Sequence, residues 1–532
     1  MFVRKKYVLL ILIIILSVFV PYIFHKYTSS PYLTFSDGAK FADIARNIVQ
    51  GKGYGSSFRF FSPPVPTTEM GIYSALYVPP VMPLAIALMF SFLGVSDSSV
   101  IAVSTIFFIG SIVLIYLLGK RLFRERVGIL SAVAGCFNVS LLSYATSGAS
   151  ESLFIFEILL AAYLILLRKR WANLIGILVL VLMYFTKAQS IIFIFGLLLF
   201  FFLLNYSLKS AIKYFVVVSI LGILVFFAKS YQGIFAITQT LPGISSSVSL
   251  RGVVQDVNFL AIVKKLLYNL YNFYKLLPQT ASPYMWALFF IGILIWGRGR
   301  AENSFKVTTI IIVALTFAAS AITIPLYRYI HPVVPLVYLL ATATLVWIIG
   351  KAIDSSLPVA DGKARALLIK HKSGIITFAS SFLILFFVVG QTLGVLFLDS
   401  RFISKSLNKD KTPVYVQLSR VLKENTKPDD VVLTNLDTWG SWYGERKTIW
   451  YPLKTEMLKD VGERVDAIYI TDYLIDDENY YMGQEWRQIL ENPRHIQDKY
   501  ISENYKLAGE FSVSSSETYE QQGSRAVLLV RK

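Results

Sequence analysis

The chain has 532 residues, of which 55% are hydrophobic and only 16% charged, and its mean hydropathy is +0.59. So few charges cannot cover a soluble surface of this size, which excludes a soluble enzyme and implies a chain that crosses a membrane many times. The net charge of +18 does not call for nucleic acid, because cationic loops on the cytoplasmic side of a membrane account for it.

In chain order, Arg4-Lys5-Lys6 precedes an apolar run from Tyr7 to Phe24. The run is long enough for about 30 Å of hydrocarbon, and no small-x-small cleavage pattern follows. It reads as an uncleaved first span with its N-terminus in the cytoplasm. Next comes the stretch from Phe35 to Tyr54, with Ser36 and Asp37 as capping residues and Phe41, Ile44, Ala45 and Ile48 at helical spacing. Gly51 and Gly53 stop the pattern, so a short amphipathic helix is expected at the membrane surface.

Residues 78–95 are apolar enough to span, and charge decides against it. If they crossed, Lys120–Arg126, Arg168–Arg170 and Arg298–Arg300 would all lie on the side opposite Arg4–Lys6. Pro79, Pro80 and Pro83 also suit a broken interfacial helix. Further spans are expected at 99–119, 127–146, 152–167, 171–186, 189–205, 214–229, 284–297, 307–327, 330–350 and 374–397. With the first, that makes about eleven, and an odd count puts the C-terminal part outside. Residues 230–283 read as an outer loop with a helix near 259–277.

From Asp399 the composition becomes that of a soluble domain. A helix over 413–424 and strands at 431–434, 466–472 and 524–530 predict a small α/β fold. The expected fold class is thus a polytopic α-helical membrane protein with a C-terminal extracytoplasmic α/β domain. Residues 1–398 would form the membrane part, including a first extracytoplasmic loop over 25–98, and 399–532 the soluble part.

The segment Asp37-Gly-Ala-Lys-Phe-Ala-Asp-Ile-Ala-Arg-Asn-Ile48, followed by Gly51-Lys-Gly-Tyr54, resembles the first outer loop of the GT-C superfamily of polytopic glycosyltransferases. The similarity is to the protein mannosyltransferase and lipid A aminoarabinose transferase branch. Pro79-Pro80, Phe92-Leu93-Gly94, Glu151, Thr186-Lys187 and Tyr327-Arg328-Tyr329 through His331 to Pro335 extend it along the chain. The resemblance implies transfer of a sugar from a polyprenyl-phosphate donor to a hydroxyl of a protein, lipid or glycan at the outer face of the cell membrane, with inversion. It also implies that Asp37 is the catalytic base. The usual pattern has a second acid beside it, where this chain has Gly38. A divalent metal is left open, and no organic cofactor is expected.

The residues carry readings of their own. Asp37 is either a base or a helix cap. Glu69 is either the missing second acid or an ordinary loop acid. Asp43, flanked by Lys40 and Arg46 at three-residue spacing, reads as part of a solvated ion-pair face. Glu151 heads an apolar helix, where it either faces a cavity or complements the helix N-terminus. Lys187 and Arg328, with His331 assisting, are either phosphate ligands or interfacial anchors. The segment Trp439-Gly-Ser-Trp442-Tyr443-Gly-Glu-Arg446 either faces the acceptor or packs the α/β core. Cys136 is a lone cysteine and the four histidines are scattered, which leaves no disulfide framework or Cys/His metal cluster. Isolated charges at helix ends also suit a transporter or flippase, and Gly38 a non-catalytic relative; the absence of a visible inverted repeat and the large outer regions favour transfer.

Overall fold

The structure is a computed structural model, and it describes residues 2–61, 65–229, 259–297, 299–322, 326–358, 362–474 and 482–532. Its first ten helices are α1 (Phe2–Thr28), α2 (Ser36–Val49), α3 (Val81–Leu93), α4 (Asp97–Leu122), α5 (Glu125–Cys136), α6 (Val139–Ala145), α7 (Glu151–Leu166), α8 (Arg170–Tyr184), α9 (Ser190–Asn205) and α10 (Leu208–Lys229). Later helices run over Phe259–Thr280, Pro283–Ile293, Arg300–Ile322, Val334–Ser356 and Gly362–Ile384; the last continues through a π-turn at Leu385–Gly390 into Gln391–Leu398.

Among the described residues, five helical stretches are long and apolar enough to cross a membrane: Val8–Thr28, Asp97–Leu122, Arg300–Ala321, Tyr327–Ser356 and Arg365–Leu398. The expected span over 127–146 is broken. α5 and α6 meet at 65°, and the break falls at Asn138, whose side-chain oxygen accepts the Leu141 N–H at 2.8 Å and caps the second piece. The segments expected at 78–95, 171–186, 189–205 and 284–297 form apolar helices of 10–17 residues, shorter than the ~20 of a plain span. Outward-facing side chains such as Ile11, Ile15 and Phe19 on α1 and Leu174, Leu178 and Val181 on α8 are exposed, a surface suited to lipid. Of the outer loop expected over 230–283, the part at 230–258 lies outside the described residues; the rest is mostly the helix Phe259–Thr280.

The strands are β1 (Gly55–Ser56), β2 (Phe58–Arg59), β3 (Tyr73–Ser74), β4 (Val431–Thr434), β5 (Lys447–Trp450), β6 (Ala467–Thr471), β7 (Tyr505–Val513) and β8 (Ser524–Arg531). β1 and β3 pair on their own, and the other six form one sheet in the order β2-β5-β4-β6-β8-β7. β2, β5, β4 and β6 are parallel, while β8 and β7 are antiparallel. The sequence predicts β4, β6 and β8 but not β5, β7 or the two-residue β2, which is too short for a periodicity to register.

That short strand ties the two ends of the chain together. Phe58 and Arg59 pair with Thr448 and Ile449, so the loop after α1 supplies the edge of a sheet otherwise made from residues beyond 430. Phe58 is fully buried, a contribution of roughly 2–3 kcal/mol. One hydrophobic core then runs from Leu33, Phe41 and Ile44 to Val432, Ile449 and Trp450, while a second joins the apolar helices.

Candidate active site

α2 begins at Ser36 because Phe35 is extended, with φ −119° and ψ 128°. Neither Ser36 nor Asp37 is the cap, and no side chain caps this helix, so capping does not account for Asp37. Its carboxylate instead accepts from two cations: Lys40 Nζ at 3.2 Å on Oδ1 and Arg328 Nη2 at 2.7 Å on Oδ2.

Arg328 lies in the single turn Tyr327–Ile330, with its guanidinium 5.0 Å from the Phe35 ring centre and 5.8 Å from that of Tyr329. These ring faces hold the cation and fix its plane. The same Nη2 also lies 3.1 Å from Glu151 Oε1, to which Nε donates at 3.2 Å. Glu151 is the first residue of α7 and is fully buried. The same oxygen accepts Lys187 Nζ at 2.6 Å. A carboxylate buried alone would cost several kcal/mol, and two cations are what keep it there.

The turn between α8 and α9 positions Lys187. Thr186 donates its hydroxyl hydrogen to Glu157 Oε1 at 2.8 Å, and Gln189 donates to the Tyr329 carbonyl at 2.5 Å. The structure thus joins Asp37, Arg328, Glu151 and Lys187 in one ion-paired chain, with Lys40 at its outer end. Burial pushes the Asp37 carboxyl up, but the charges of Lys40 and Arg328 outweigh this and hold it well below the usual carboxylate range. Burial likewise opposes the charge on Lys40, and Asp37 with Asp437 overcomes it, leaving the ammonium more firmly protonated than usual.

His331 is fully buried, its ring 4.7 Å from that of Tyr144, and neither ring nitrogen has a hydrogen-bond partner. It stands behind the charged chain and not within it. Glu69 is exposed in the turn closed by Gly71 N–H donating to the Thr68 carbonyl. Among the described residues it shares no hydrogen bond or ion pair with Asp37 or its partners.

Asp43 departs from the expected solvated face. It is fully buried, accepting from Arg46 at 2.7 Å, the Ser56 hydroxyl at 2.9 Å and the Ser57 N–H at 2.6 Å. Arg46 continues to the Ser441 and Trp442 carbonyls at 2.9 and 3.1 Å. Lys40 serves Asp37, not Asp43. The i,i+3 spacing allowed both pairings, and packing against the sheet chose between them. Sequence reasoning also missed Asp97, which accepts from Trp442 Nε1 at 2.7 Å and Tyr443 Oη at 2.9 Å. The Trp439–Trp442 segment therefore packs against the membrane-facing elements, as well as within the sheet's core.

A cavity of about 590 Å³ adjoins the charged chain, with Phe35, Tyr144 and Tyr327 on the near wall and Asn138, Ser143 and Gln391 among its polar lining. No group of three or more His, Cys, Asp or Glu side chains able to hold a metal occurs among the described residues. In this arrangement each of the two carboxylates, Asp37 and Glu151, is held by two cations, and Arg328 serves both.

Residues 77–231 match the family model of dolichyl-phosphate-mannose-protein mannosyltransferases. No curated protein matches. Among solved structures, the archaeal oligosaccharyltransferase AglB from Archaeoglobus fulgidus, in complex with an inhibitory peptide and a dolichol-phosphate, is similar with a TM-score of 0.53 at 12% identity, over 97% of this chain and 74% of that one. ArnT from Cupriavidus metallidurans is similar in its apo state, with a TM-score of 0.51 at 12% identity over 99% of this chain and 98% of that one. Bound to undecaprenyl phosphate, ArnT gives 0.52 at 11% identity over 98% and 97%. The family match is confined to part of the membrane region, and along its length the chain shares the fold of AglB and ArnT.

Proposed function

We propose that the protein transfers a sugar from a polyprenyl-phosphate-linked donor to an acceptor hydroxyl at the outer face of the membrane, inverting the anomeric carbon. The observation that carries this reading is the Asp37–Arg328 pair at 2.7 Å, backed by Glu151 and Lys187. It sets a base against an anion site at a membrane-facing helix start. The similar structures support it: AglB is in complex with dolichol-phosphate and ArnT is bound to undecaprenyl phosphate.

The donor phosphate takes the Arg328 fork and Lys187, competing with Asp37 and Glu151 for them. Asp37, relieved of Arg328, becomes a stronger base and takes the acceptor's proton. The acceptor oxygen bonds to the anomeric carbon as the bond from that carbon to the phosphate oxygen breaks. The electron pair leaves with the lipid phosphate, whose added negative charge the two cations stabilise. Attack from the face opposite the leaving phosphate inverts the centre.

The reading includes about eleven spans, with the helix Val81–Leu93 in the interface and residues 399–532 as an extracytoplasmic α/β domain. The test is purified protein in detergent with a panel of radiolabelled polyprenyl-phosphate sugars and hydroxyl acceptors. Release of lipid phosphate coupled to acceptor labelling is expected. Absence of release with every donor, together with no binding of undecaprenyl phosphate, rejects the proposal.

A further inference from the structure

A Cβ on Gly38 would meet the Ser147 carbonyl oxygen at 2.8 Å and the Gly148 carbonyl carbon at 3.4 Å. A carboxylate side chain next to Asp37 therefore has no room. The fold brings another carboxylate to the same turn from the far end of the chain. β4 lies between β5 and β6, where the strand order reverses, and a parallel sheet places functional groups beyond the carboxyl end of such a strand. Asp437 stands there, 7% exposed and with φ +53°. That left-handed conformation is strained for a residue with a side chain, least so for Asp and Asn. The next residue, Thr438, donates its hydroxyl hydrogen to the Ser36 carbonyl at 2.6 Å, which seats Asp437 against the first turn of α2.

We propose that Asp437 is a positioning residue of the transfer site, sharing the Lys40 ammonium with Asp37 and so keeping Asp37 basic enough to accept a proton. The proposal rests on the reading of Asp37 as base. Lys40 lies 3.2 Å from Asp37 near the start of α2, the end that Thr438 holds beside Asp437 through the Ser36 carbonyl, and a negative charge at Asp437 favours the ammonium there. Once a donor phosphate occupies Arg328, Lys40 is the remaining cation on Asp37. A second carboxylate pulling on Lys40 weakens its grip. The other groups facing Asp37 are Glu151, Lys187 and Tyr329. Lys40 also faces Tyr77, which in turn feels Asp43 and Asp437.

Asp437→Asn removes only the charge. Asn tolerates the left-handed backbone, and its side-chain oxygen can still accept the Thr438 N–H, as Oδ1 does at 2.7 Å. The measurement is the pH dependence of kcat at a saturating polyprenyl-phosphate sugar, the state in which the donor occupies Arg328. The acid limb should move to lower pH by about half a unit or more, with the plateau reduced several-fold and the donor KM within about twofold. In a Lys40→Gln background the limb should start higher, and Asp437→Asn should add little. An unmoved limb, or the same displacement with and without Lys40, overturns the proposal.

A failure of the underlying reading is distinguishable. If Asp37→Asn transfers normally, or the wild type transfers nothing, Asp437 is judged by melting temperatures of Lys40→Gln, Asp437→Asn and the double variant. Non-additive shifts sustain the sharing of Lys40, and additive shifts overturn it.

Discussion

Asp37 and Arg328 are 291 residues apart in the chain and 2.7 Å apart in the structure. The same guanidinium reaches Glu151 through Nε and Nη2, so one planar fork links a half-buried carboxylate to a fully buried one. A lysine ammonium has the charge but not the fork. Arg328→Lys is expected to weaken binding of undecaprenyl phosphate by roughly 10- to 100-fold, the worth of one charge-assisted hydrogen bond. Ligand-induced thermal shifts in detergent measure this, and wild-type affinity in the lysine variant would show that Arg328 does not hold the phosphate.

Gly38 packs its α-carbon against the Ser147–Gly148 backbone, itself bent by a left-handed Gly148 at φ +75°. Gly38→Ala forces these two segments apart and is expected to cost about 1–3 kcal/mol. It would also displace the turn that carries Asp37. A melting temperature equal to the wild type would mean that the contact yields without strain.

The ion-paired carboxylate gives the fold a pH signature. Asp37 is held below its ordinary value by Lys40 and Arg328, so its contribution is complete above the unfolded pKa of about 3.9 and is lost as pH falls toward the folded value. Lys40 is raised above its ordinary value, so its contribution is complete below about 10.4 and fades only as pH rises past that. The melting-temperature gap between wild type and Asp37→Asn should therefore be level from about pH 5 to 9 and narrow below about pH 4. A gap that widens on acidification would contradict the pairing.

What the sequence made legible follows from what local pattern can encode. The apolar runs, the amphipathic α2 and the β4–helix alternation are short-range periodicities, and they emerge close to where expected. Asp37, Glu151, Lys187 and Arg328 stood out because a lone charge beside an apolar helix is costly and conspicuous. Their mutual pairing was not legible, since it joins four segments through tertiary contacts. Neither was β2, whose two residues acquire strand character only from Thr448 and Ile449. Lys40 was visible at helical spacing from both Asp37 and Asp43, and only the Ser56 and Ser57 donors to Asp43 decide which acid it serves.

Topology can be checked without activity. Keeping Lys120–Arg126, Arg168–Arg170 and Arg298–Arg300 on the side of Arg4–Lys6 requires the thirteen-residue α3 not to cross. A reporter active only outside the membrane should work when fused after Ser400 and stay silent after Arg124. The reverse pattern would move Asp37 and the sheet to the wrong side for an outer-face transfer.

Asp37→Asn separates the base from its structural neighbours. The side chain is about a quarter exposed, and no cap hydrogen bond is lost because none exists. Losing two partly exposed ion pairs should cost about 1 kcal/mol, leaving a folded protein. Donor binding should become tighter, because Arg328 no longer has Asp37 as an internal competitor for the phosphate. Transfer should fall by ~10²–10⁴, the usual penalty for a missing general base. The combination is diagnostic: loss of a phosphate ligand would lower donor affinity, and loss of a purely structural residue would leave the chemical step intact, whereas loss of the base slows the chemical step while donor binding holds or tightens. If the variant keeps more than about a tenth of wild-type transfer when chemistry limits the rate, Asp37 is a counter-ion for Arg328 and the proton goes elsewhere.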